Sequence, residues 1–346
     1  MDKMGVRRIW LSEGYGCLKA MLHLHLELSR NSPLYVSLML FDSDHSVALY
    51  VLKVLSAHSS RWTSLYLCSD VELLKDPVLS SVRGNLPLLR QLDIDIRGDS
   101  RESIDIFQYT PALEKLSIED FDLPSPTAMI TFPWNQLNTL VLRYCYTSVA
   151  LQYFDLAPQA RHIALARCQN SDYRERPETY PQVMHCHNLQ SLSINIDDVD
   201  PELLVVFNFH TLPSLSRLKI SGANNCGILT LEEFSFASEH GTIVSFLARS
   251  RCHLVSLCLE RLPLRDNEVL ALLQNLLSLT ELTIHEHNRE ECKGYGQEML
   301  PSPLTSNFFK SLTVNYTTPR STLLPHLKEL DLLYKRNPSP PQIFST

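Results

Sequence analysis

A six-residue pattern organises the sequence, with apolar residues at its first, fourth and sixth positions. Leu189, Leu192 and Ile194 form one copy, and the last two point to the same face of a β-strand because they are two residues apart. Close copies begin at Leu89, Leu113, Leu137, Leu189, Leu215, Leu254, Leu279 and Leu327, and looser copies begin at Tyr35, Trp62, Ala160 and Phe309. The pattern therefore predicts one strand per copy.

The copies recur about every 26.5 residues, within the period of about 20–29 residues that is typical of leucine-rich repeats. One such unit has too few apolar residues to fold alone, so neighbouring units must stack to bury each leucine row. We predict an α/β leucine-rich-repeat solenoid that is curved, with a parallel β-sheet on its concave face and short helices and loops on its convex face. The alternative is a doubly wound α/β sheet, whose buried strands are also rich in Leu, Ile and Val, but such strands are longer and lack this fixed spacing.

The pattern divides the chain into a cap segment at 1–34, a solenoid at 35–335 and a disordered tail at 336–346. The solenoid has about 11–12 irregular units, and the cap contains helix-like apolar spacing from Leu18 to Leu28 that is suited to cover the first leucine row. Two long intervals, 223–241 and 285–306, are expected to be loops that leave the solenoid. Such loops either carry function or are tolerated surface insertions.

Short helices are predicted between several strands. Ser46 precedes the apolar segment Val47–Leu55, and Asp266 precedes Val269–Leu276. Serine and aspartate are favoured helix N-caps because their side chains accept hydrogen bonds from the first free backbone N–H groups. A further helix is predicted at 101–109.

Composition narrows the possible partners. The chain has a formal net charge of −7 and a sequence pI near 6.0, without a run of Lys and Arg, which disfavours nucleic acid and anionic membranes as partners. Its first residues lack the apolar core of a signal peptide. Nine cysteines without paired spacing are typical of reduced thiols, so we expect a cytoplasmic or nuclear protein.

The sequence lacks a convincing catalytic or metal-binding motif. His185-Cys186-His187 and Cys252-His253 are the nearest to metal ligands, but adjacent residues rarely converge on one zinc ion and no C-x-x-C pair accompanies them. His285–Cys292 groups acid, base and thiol side chains in one polar segment, whereas catalysis requires such groups to be held rigidly. We expect no enzyme activity, no metal and no cofactor; an enzyme with its site in 285–306 is the alternative.

Partner binding is expected on the outward-facing residues of the strands. These are the residue between the last two apolar positions and the one after them. The candidate partner-binding residues are Asp93, Asp95, Glu119, Arg143, Lys219, Glu260 and His285. Asp93, Asp95 and Glu119 are expected to form an acidic cluster on neighbouring strands, suited to a basic peptide or protein surface; the alternative is an ordinary solvated face.

Several sequence segments resemble the repeat region of fungal, basidiomycete-type F-box proteins with leucine-rich repeats. They are Ser59–Leu65, Asn85–Leu92, Phe107–Leu116 and Phe132–Leu137, and the similarity extends over about 29–335. In that family an F-box docks a Skp-type adaptor of a ubiquitin ligase while the repeats hold the substrate. The resemblance thus implies a substrate-recognition region of an F-box-like receptor.

The sequence departs from the family before residue 29. An F-box is a bundle of several helices, and no such stretch precedes that residue. We therefore expect a Skp-type adaptor to bind only if an F-box is encoded upstream. The alternative function is a repeat scaffold that binds a protein partner without any link to a ubiquitin ligase.

Overall fold

The chain forms two compact units in a computed structural model, Met1–Cys145 and Tyr146–Thr346. Within them the structure describes residues 15–40, 45–97, 104–119, 131–144, 153–167, 184–196, 206–222, 236–286, 302–313 and 323–334. The predicted tail at 336–346 lies outside these residues, as do most of the two long intervals.

Both units contain a series of short strands. Those of the first unit are β1 (Leu34–Met39), β2 (Trp62–Asp70), β3 (Gln91–Arg97), β4 (Lys115–Glu119) and β5 (Thr139–Arg143). Those of the second are β6 (His162–Ala166), β7 (Met184–His185), β8 (Ser191–Ile196), β9 (His210–Thr211), β10 (Arg217–Gly222), β11 (Ser256–Glu260), β12 (Glu281–His285) and β13 (Glu329–Leu333). Apart from β7 and β9, which pair with each other, the strands of each unit lie in one sheet.

Helices occupy many of the connections. They are α1 (Tyr15–Ser29), α2 (His45–Ser56), α3 (Val71–Leu74), α4 (153–156), α5 (Val206–Phe209), α6 (Phe236–Ser250), α7 (Asp266–Leu273) and α8 (Ser306–Leu312). Single turns of 3₁₀-helix lie at Ser59–Arg61, Pro77–Ser81 and Trp134–Gln136. Among the described helices, none is both long and apolar enough to cross a membrane.

The strand order confirms the predicted fold class. The first unit has the order β1-β2-β3-β4-β5, and the second has β6-β8-β10-β11-β12-β13 with a separate parallel pair of β7 and β9. Every described pairing within the units is parallel, and in each unit the strands of the larger sheet follow sequence order. A doubly wound sheet would reverse direction at a switch point. The fold is α/β and consistent with a leucine-rich-repeat-like solenoid.

Equal register brings the repeated apolar positions together. Leu92 lies beside Leu116, which lies beside Leu140, and in the second unit Leu192 lies beside Leu218. Each of these side chains is at most 2% exposed. The apolar rows are thus buried against one another, as the stacking argument predicts.

Successive repeats are also joined by a recurring backbone hydrogen-bond pattern. The carbonyl of Gln190, one residue after Leu189, accepts the N–H groups of both Ser216 and Arg217, at 2.9 and 3.0 Å. Equivalent shared carbonyls belong to Arg90, Glu114, Arg161, Gln190, Ser216, Val255 and Thr280. Because the same contact occurs in seven places, the repeats share one backbone geometry at the start of their strands although their lengths differ.

Two predicted strands differ in the structure. The copy beginning at Tyr35 is displaced, because Val36 and Leu38 pair with Leu65 and Leu67 while Tyr35 points outward and is 83% exposed. The copy beginning at Phe309 is wrong, since these residues lie in α8 and β12 pairs directly with β13. Apolar residues three apart also suit a helix, and the Thr305 hydroxyl accepts the Phe308 N–H to start it.

The predicted helices agree in part. The segment 47–55 lies within α2, and α7 covers only the first part of 269–276 because it starts at Asp266 and ends at Leu273. Helix α6 begins at Phe236, inside the interval 223–241 that was predicted as a loop. Residues 104–109 are not helical, so the described part of the helix predicted at 101–109 is wrong.

Candidate partner-binding face

The candidate residues lie on the outward side of the strands, opposite the buried leucine rows. In the first unit Asp95, Glu119 and Arg143 occupy the same register on β3, β4 and β5. Asp93 lies two residues before Asp95 and therefore on the same face. In the second unit, Glu260 and His285 share one register on β11 and β12, and Lys219 on β10 is one row earlier.

Arg143 holds the first-unit cluster together. Its Nη1 donates to Ser117 Oγ at 3.0 Å and lies 3.5 Å from Asp93 Oδ1 and 3.7 Å from Glu119 Oε2. The guanidinium thus reaches across β4 from β5 to β3. Asp93 and Glu119 therefore flank a cation rather than forming a purely anionic surface together with Asp95.

Asp95 occupies a more buried position in the same cluster. Its residue is 9% exposed, and its Oδ2 accepts the Cys68 thiol at 3.1 Å. Arg97 Nε lies 3.7 Å from the other carboxylate oxygen. Burial and the bond to Asp95 raise the pKa of Cys68 to about 12, so this thiol is protonated at neutral pH and is a poor nucleophile.

Glu260 holds the second-unit cluster together. Its Oε1 accepts Lys219 Nζ at 2.8 Å and the Cys258 thiol at 3.3 Å, and Arg261 lies 3.9 Å from Oε2. Burial alone raises the pKa of Glu260, but the hydrogen bonds from Lys219 and Cys258, and the charges of Lys219 and Arg261, lower it overall. The carboxylate is therefore ionised and firmly held.

His285 extends this cluster to the next strand. Its Nε2 lies 3.0 Å from Asp331 Oδ2, and its Nδ1 lies 4.0 Å from Glu260 Oε1. Asp331 has a 69% exposed side chain, whereas that of Glu260 is 16% exposed. The imidazole thus bridges a held carboxylate and a solvent-facing one.

The two clusters share a plan. In each, an outward-facing cysteine donates its thiol hydrogen to a nearby carboxylate: Cys68 to Asp95 on the next strand, and Cys258 to Glu260 two residues along the same strand. Burial, followed by the charge and hydrogen bond of Glu260, raises the pKa of Cys258 to about 12. Both thiols therefore help to orient carboxylates on the sheet face.

Sequence reasoning identified the outward rows but did not single out six partners within the clusters. They are Cys68, Arg97, Ser117, Cys258, Arg261 and Asp331. Cys68, Ser117, Cys258 and Asp331 occupy outward positions in the repeat, so equal register was the signal that would have found them. Arg97 and Arg261 are close to a carboxylate at the end of the same strand. The repeat pattern does not mark Arg97 or Arg261 as a partner of these carboxylates.

The other candidate motifs have simpler roles. Burial raises the pKa of Cys186 to about 11, and the backbone N–H of Cys186 donates to Thr211 in the β7–β9 region. Among the residues with described positions, no group of three His, Cys, Asp or Glu side chains is arranged to hold a metal ion. Most of the segment His285–Cys292 lies outside the described residues.

No family model and no curated protein matches this sequence. Among solved structures, the crystal structure of a structural-genomics target protein from Bacteroides fragilis is similar to 64% of this chain, with 16% sequence identity and a TM-score of 0.25. The similarity spans 65% of that protein's chain, which is less than two thirds of its length. The fold assignment rests on the strand order and register described above.

Proposed function

We infer that this chain is a repeat scaffold that binds a protein partner through the outward face of its sheet. The observation that carries this proposal is the alignment of charged side chains from successive strands in equal register, Asp95 with Glu119 and Arg143, and Glu260 with His285. Fixed charges at regular spacing select partners by electrostatic complementarity. The buried leucine rows leave the alternating side chains of the described strands on this face available to a partner.

A protein suits these faces better than a small molecule. Small ligands are usually bound in cavities of about 300–1,000 Å³ that enclose most of their surface. A core cavity of the first unit, lined by Leu38, Trp62 and Phe107 among others, has a volume of about 10 Å³, which is room for about one water molecule. The charged groups instead lie on partly exposed strand faces, where a partner with a broad surface can reach several of them together.

The proposed role requires no catalysis. The two thiols on the outward face, Cys68 and Cys258, have their pKa raised to about 12, which is unfavourable for a nucleophile at neutral pH. Their carboxylate partners are engaged in hydrogen bonds and ion pairs. These groups therefore serve recognition better than proton or acyl transfer, and no cofactor is needed.

A narrower form of the proposal is the substrate-recognition region of an F-box-like ubiquitin-ligase receptor. Its support is the resemblance of segments such as Asn85–Leu92 and Phe107–Leu116 to fungal F-box proteins with leucine-rich repeats. The broader scaffold role does not depend on this link. The two forms are distinguished by whether a Skp-type adaptor is part of the complex.

Charge reversal on the face tests the broader proposal. The variant carrying Arg143→Glu and Lys219→Glu is compared with the wild type in affinity purification with quantitative mass spectrometry. The control Lys53→Glu reverses an exposed charge on α2 instead. We expect the paired reversal to reduce recovery of a reproducible partner at least tenfold while the control retains it. Equal recovery with all three proteins would contradict binding through this face.

Adaptor binding tests the narrower proposal. We expect residues 1–346 not to bind a purified Skp-type adaptor in calorimetry, because α1 directs Leu22 and Leu26 towards its own unit, and Leu26 is only 7% exposed. A chain that includes an upstream F-box, if one is encoded, is expected to bind. Micromolar or tighter binding by 1–346 would contradict this expectation and favour the ligase role. If neither residues 1–346 nor the longer chain binds the adaptor, the ligase role is excluded and only the scaffold role is supported.

A further inference from the structure

Strand β1 presents an unpaired edge. It is the first strand of the sheet and pairs only with β2. The Leu40 N–H donates to Cys68 of β2, and backbone groups alternate in direction along a strand, so those of Tyr35, Ser37 and Met39 point away from β2. Among the residues that the structure describes, no strand lies on that side.

This edge lacks the usual protection against pairing. Natural edge strands are commonly blunted by charged residues, proline or a bulge. The six residues of β1, LYVSLM, include neither a charged residue nor proline, and the only irregularity of pairing lies at its start, between Leu34 and Tyr35. Tyr35 and Met39 are 83% and 59% exposed. The edge therefore combines free backbone donors and acceptors with exposed apolar side chains.

Helix α1 adds a second apolar surface at the same end of the unit. Its Lys19 lies over the ring of Tyr50 of α2, and its His23 hydrogen-bonds to the Tyr50 hydroxyl at 2.8 Å. Met21, Leu24 and Leu28 are 39%, 52% and 70% exposed. At about 100° per residue these three side chains form one stripe, about 150° around the helix from Lys19 and His23. The stripe therefore faces away from α2.

We propose that two copies of this chain associate by antiparallel pairing of their β1 edges, centred on Ser37. The outward-pointing backbone groups of Tyr35, Ser37 and Met39 then form the hydrogen-bonded pairs of the new ladder, about six bonds in all. Tyr35 of one copy lies opposite the partner's Met39, a favourable pairing of aromatic ring and thioether. No like charges meet, because β1 carries none.

The edge and the stripe favour a second copy over an unrelated strand because the contact is self-complementary about a two-fold axis. Tyr35 of each copy contacts Met39 of the other, so the same contact occurs twice. The exposed apolar stripes of the two α1 helices extend the interface on the helix side. The five exposed side chains offer on the order of 600 Å² of apolar surface per copy, near the roughly 800 Å² per partner of a standard interface. This association leaves the charged outward residues of the proposed binding face unused and is independent of that function.

Sedimentation or light scattering of the purified full chain over a hundredfold concentration range tests the proposal. We expect a concentration-dependent dimer. The variant with Tyr35→Lys and Met39→Lys is expected to weaken dimerisation at least tenfold, whereas the control Tyr109→Lys, at a residue of the same unit that is 57% exposed, does not. Circular dichroism confirms that each variant is folded. A monomer at every concentration, open-ended polymers, or a dimer that both variants leave intact would overturn the proposal.

Disulfide trapping provides a second test that does not depend on disrupting the strand. A directly opposed, hydrogen-bonded pair has Cα atoms about 5.5 Å apart, within the range of about 4.4–6.8 Å that a disulfide spans. In a Cys17→Ser background, Ser37→Cys is expected to form a disulfide-linked dimer at least tenfold faster than Ser80→Cys, an exposed control in the same unit. Equal rates would overturn the predicted register and its two-fold axis.

Discussion

Arg143 Nη1 lies 3.5 Å from Asp93 Oδ1, although 50 residues separate them in the sequence and strand β4 lies between their strands. Equal register makes this contact possible, because it places the Arg143 guanidinium beside the Ser117 hydroxyl and within reach of β3. A short serine on β4 leaves space for the long side chain to cross. Asp93 and Glu119, on β3 and β4, are therefore both positioned by the Arg143 side chain of β5.

Removing that cation should destabilise the first unit modestly. Because the Arg143 side chain is 37% exposed, we expect Arg143→Gln to lower the free energy of unfolding by about 1 kcal/mol at low salt and by less at high salt. A double-mutant cycle with Asp93→Asn isolates the coupling in urea melts. The exposed Arg217→Gln is the control and is expected to have little effect; a cycle with no coupling would contradict the ion pair.

Truncation of a buried leucine should cost far more than truncation of its outward neighbour. Leu192 is fully buried, and we expect Leu192→Ala to lower the free energy of unfolding by about 2–5 kcal/mol because it opens a cavity between stacked repeats. Ser193→Ala, one residue further on the opposite face, should change it little. Similar losses in urea denaturation would show that the two faces are reversed.

Gly222 should not tolerate a methyl group. A Cβ at this position would lie 2.2 Å from the Arg261 carbonyl oxygen, so Gly222→Ala must displace backbone. We expect a loss of about 1–3 kcal/mol in the free energy of unfolding. Gly16→Ala is the matched control, because no atom lies within 4 Å of the new methyl and alanine favours a helix. Thermal melts that rank the two variants in the reverse order would refute the close approach.

The outward cysteines should resist alkylation. With their pKa raised to about 12, the thiols of Cys68 and Cys258 are ionised in about one molecule in ten thousand at pH 8. We expect iodoacetamide to label exposed Cys17 well before either of them, as followed by mass spectrometry over time. Unfolding in urea should remove the difference. Early labelling of Cys68 or Cys258 in the folded protein would contradict their bonds to carboxylates.

Acid should destabilise the second unit through Glu260. Its pKa is lowered in the folded protein from an ordinary value of 4.5, so the ionised form stabilises the fold near neutral pH. This contribution is lost as the pH falls below about 4.5 and through the lowered folded-state value. We expect Glu260→Gln to be less stable at pH 7 but to lose less stability on acidification than the wild type. The Glu281→Gln control should retain the wild-type slope.

The repeat pattern was sufficient to predict the sheet because burial enforces it directly. Leu192 and its equivalents have to face the core, and a shift by one residue would expose an entire row. β1 was ambiguous because Tyr35, Leu38 and Leu40 fit the pattern on sequence alone, whereas the pairing of Val36 with Leu65 decides the register. The apolar spacing of Phe309 and Leu312 likewise suits both a strand and a helix.

The candidate site was less predictable because its contacts depend on side-chain reach between strands. The repeat placed Asp93 and Glu119 on one face, but only the three-dimensional arrangement shows that Arg143 spans both. Arg261 follows β11 with a positive φ of 52°, a conformation uncommon for a non-glycine residue. That turn brings its guanidinium back to Glu260 and to the Gly222 carbonyl.

Because the strands stay in equal register, their spacing does not depend on the length of the connections between them. Leu279 and Leu327 enclose twice as many residues as Leu89 and Leu113 do, yet both pairs begin adjacent, aligned strands. Each step across the sheet is therefore a fixed distance of about 4.8 Å, whatever the length of chain that loops out behind it. A partner bound across this face would meet charged side chains at this constant spacing, whatever the lengths of the connectors between the strands.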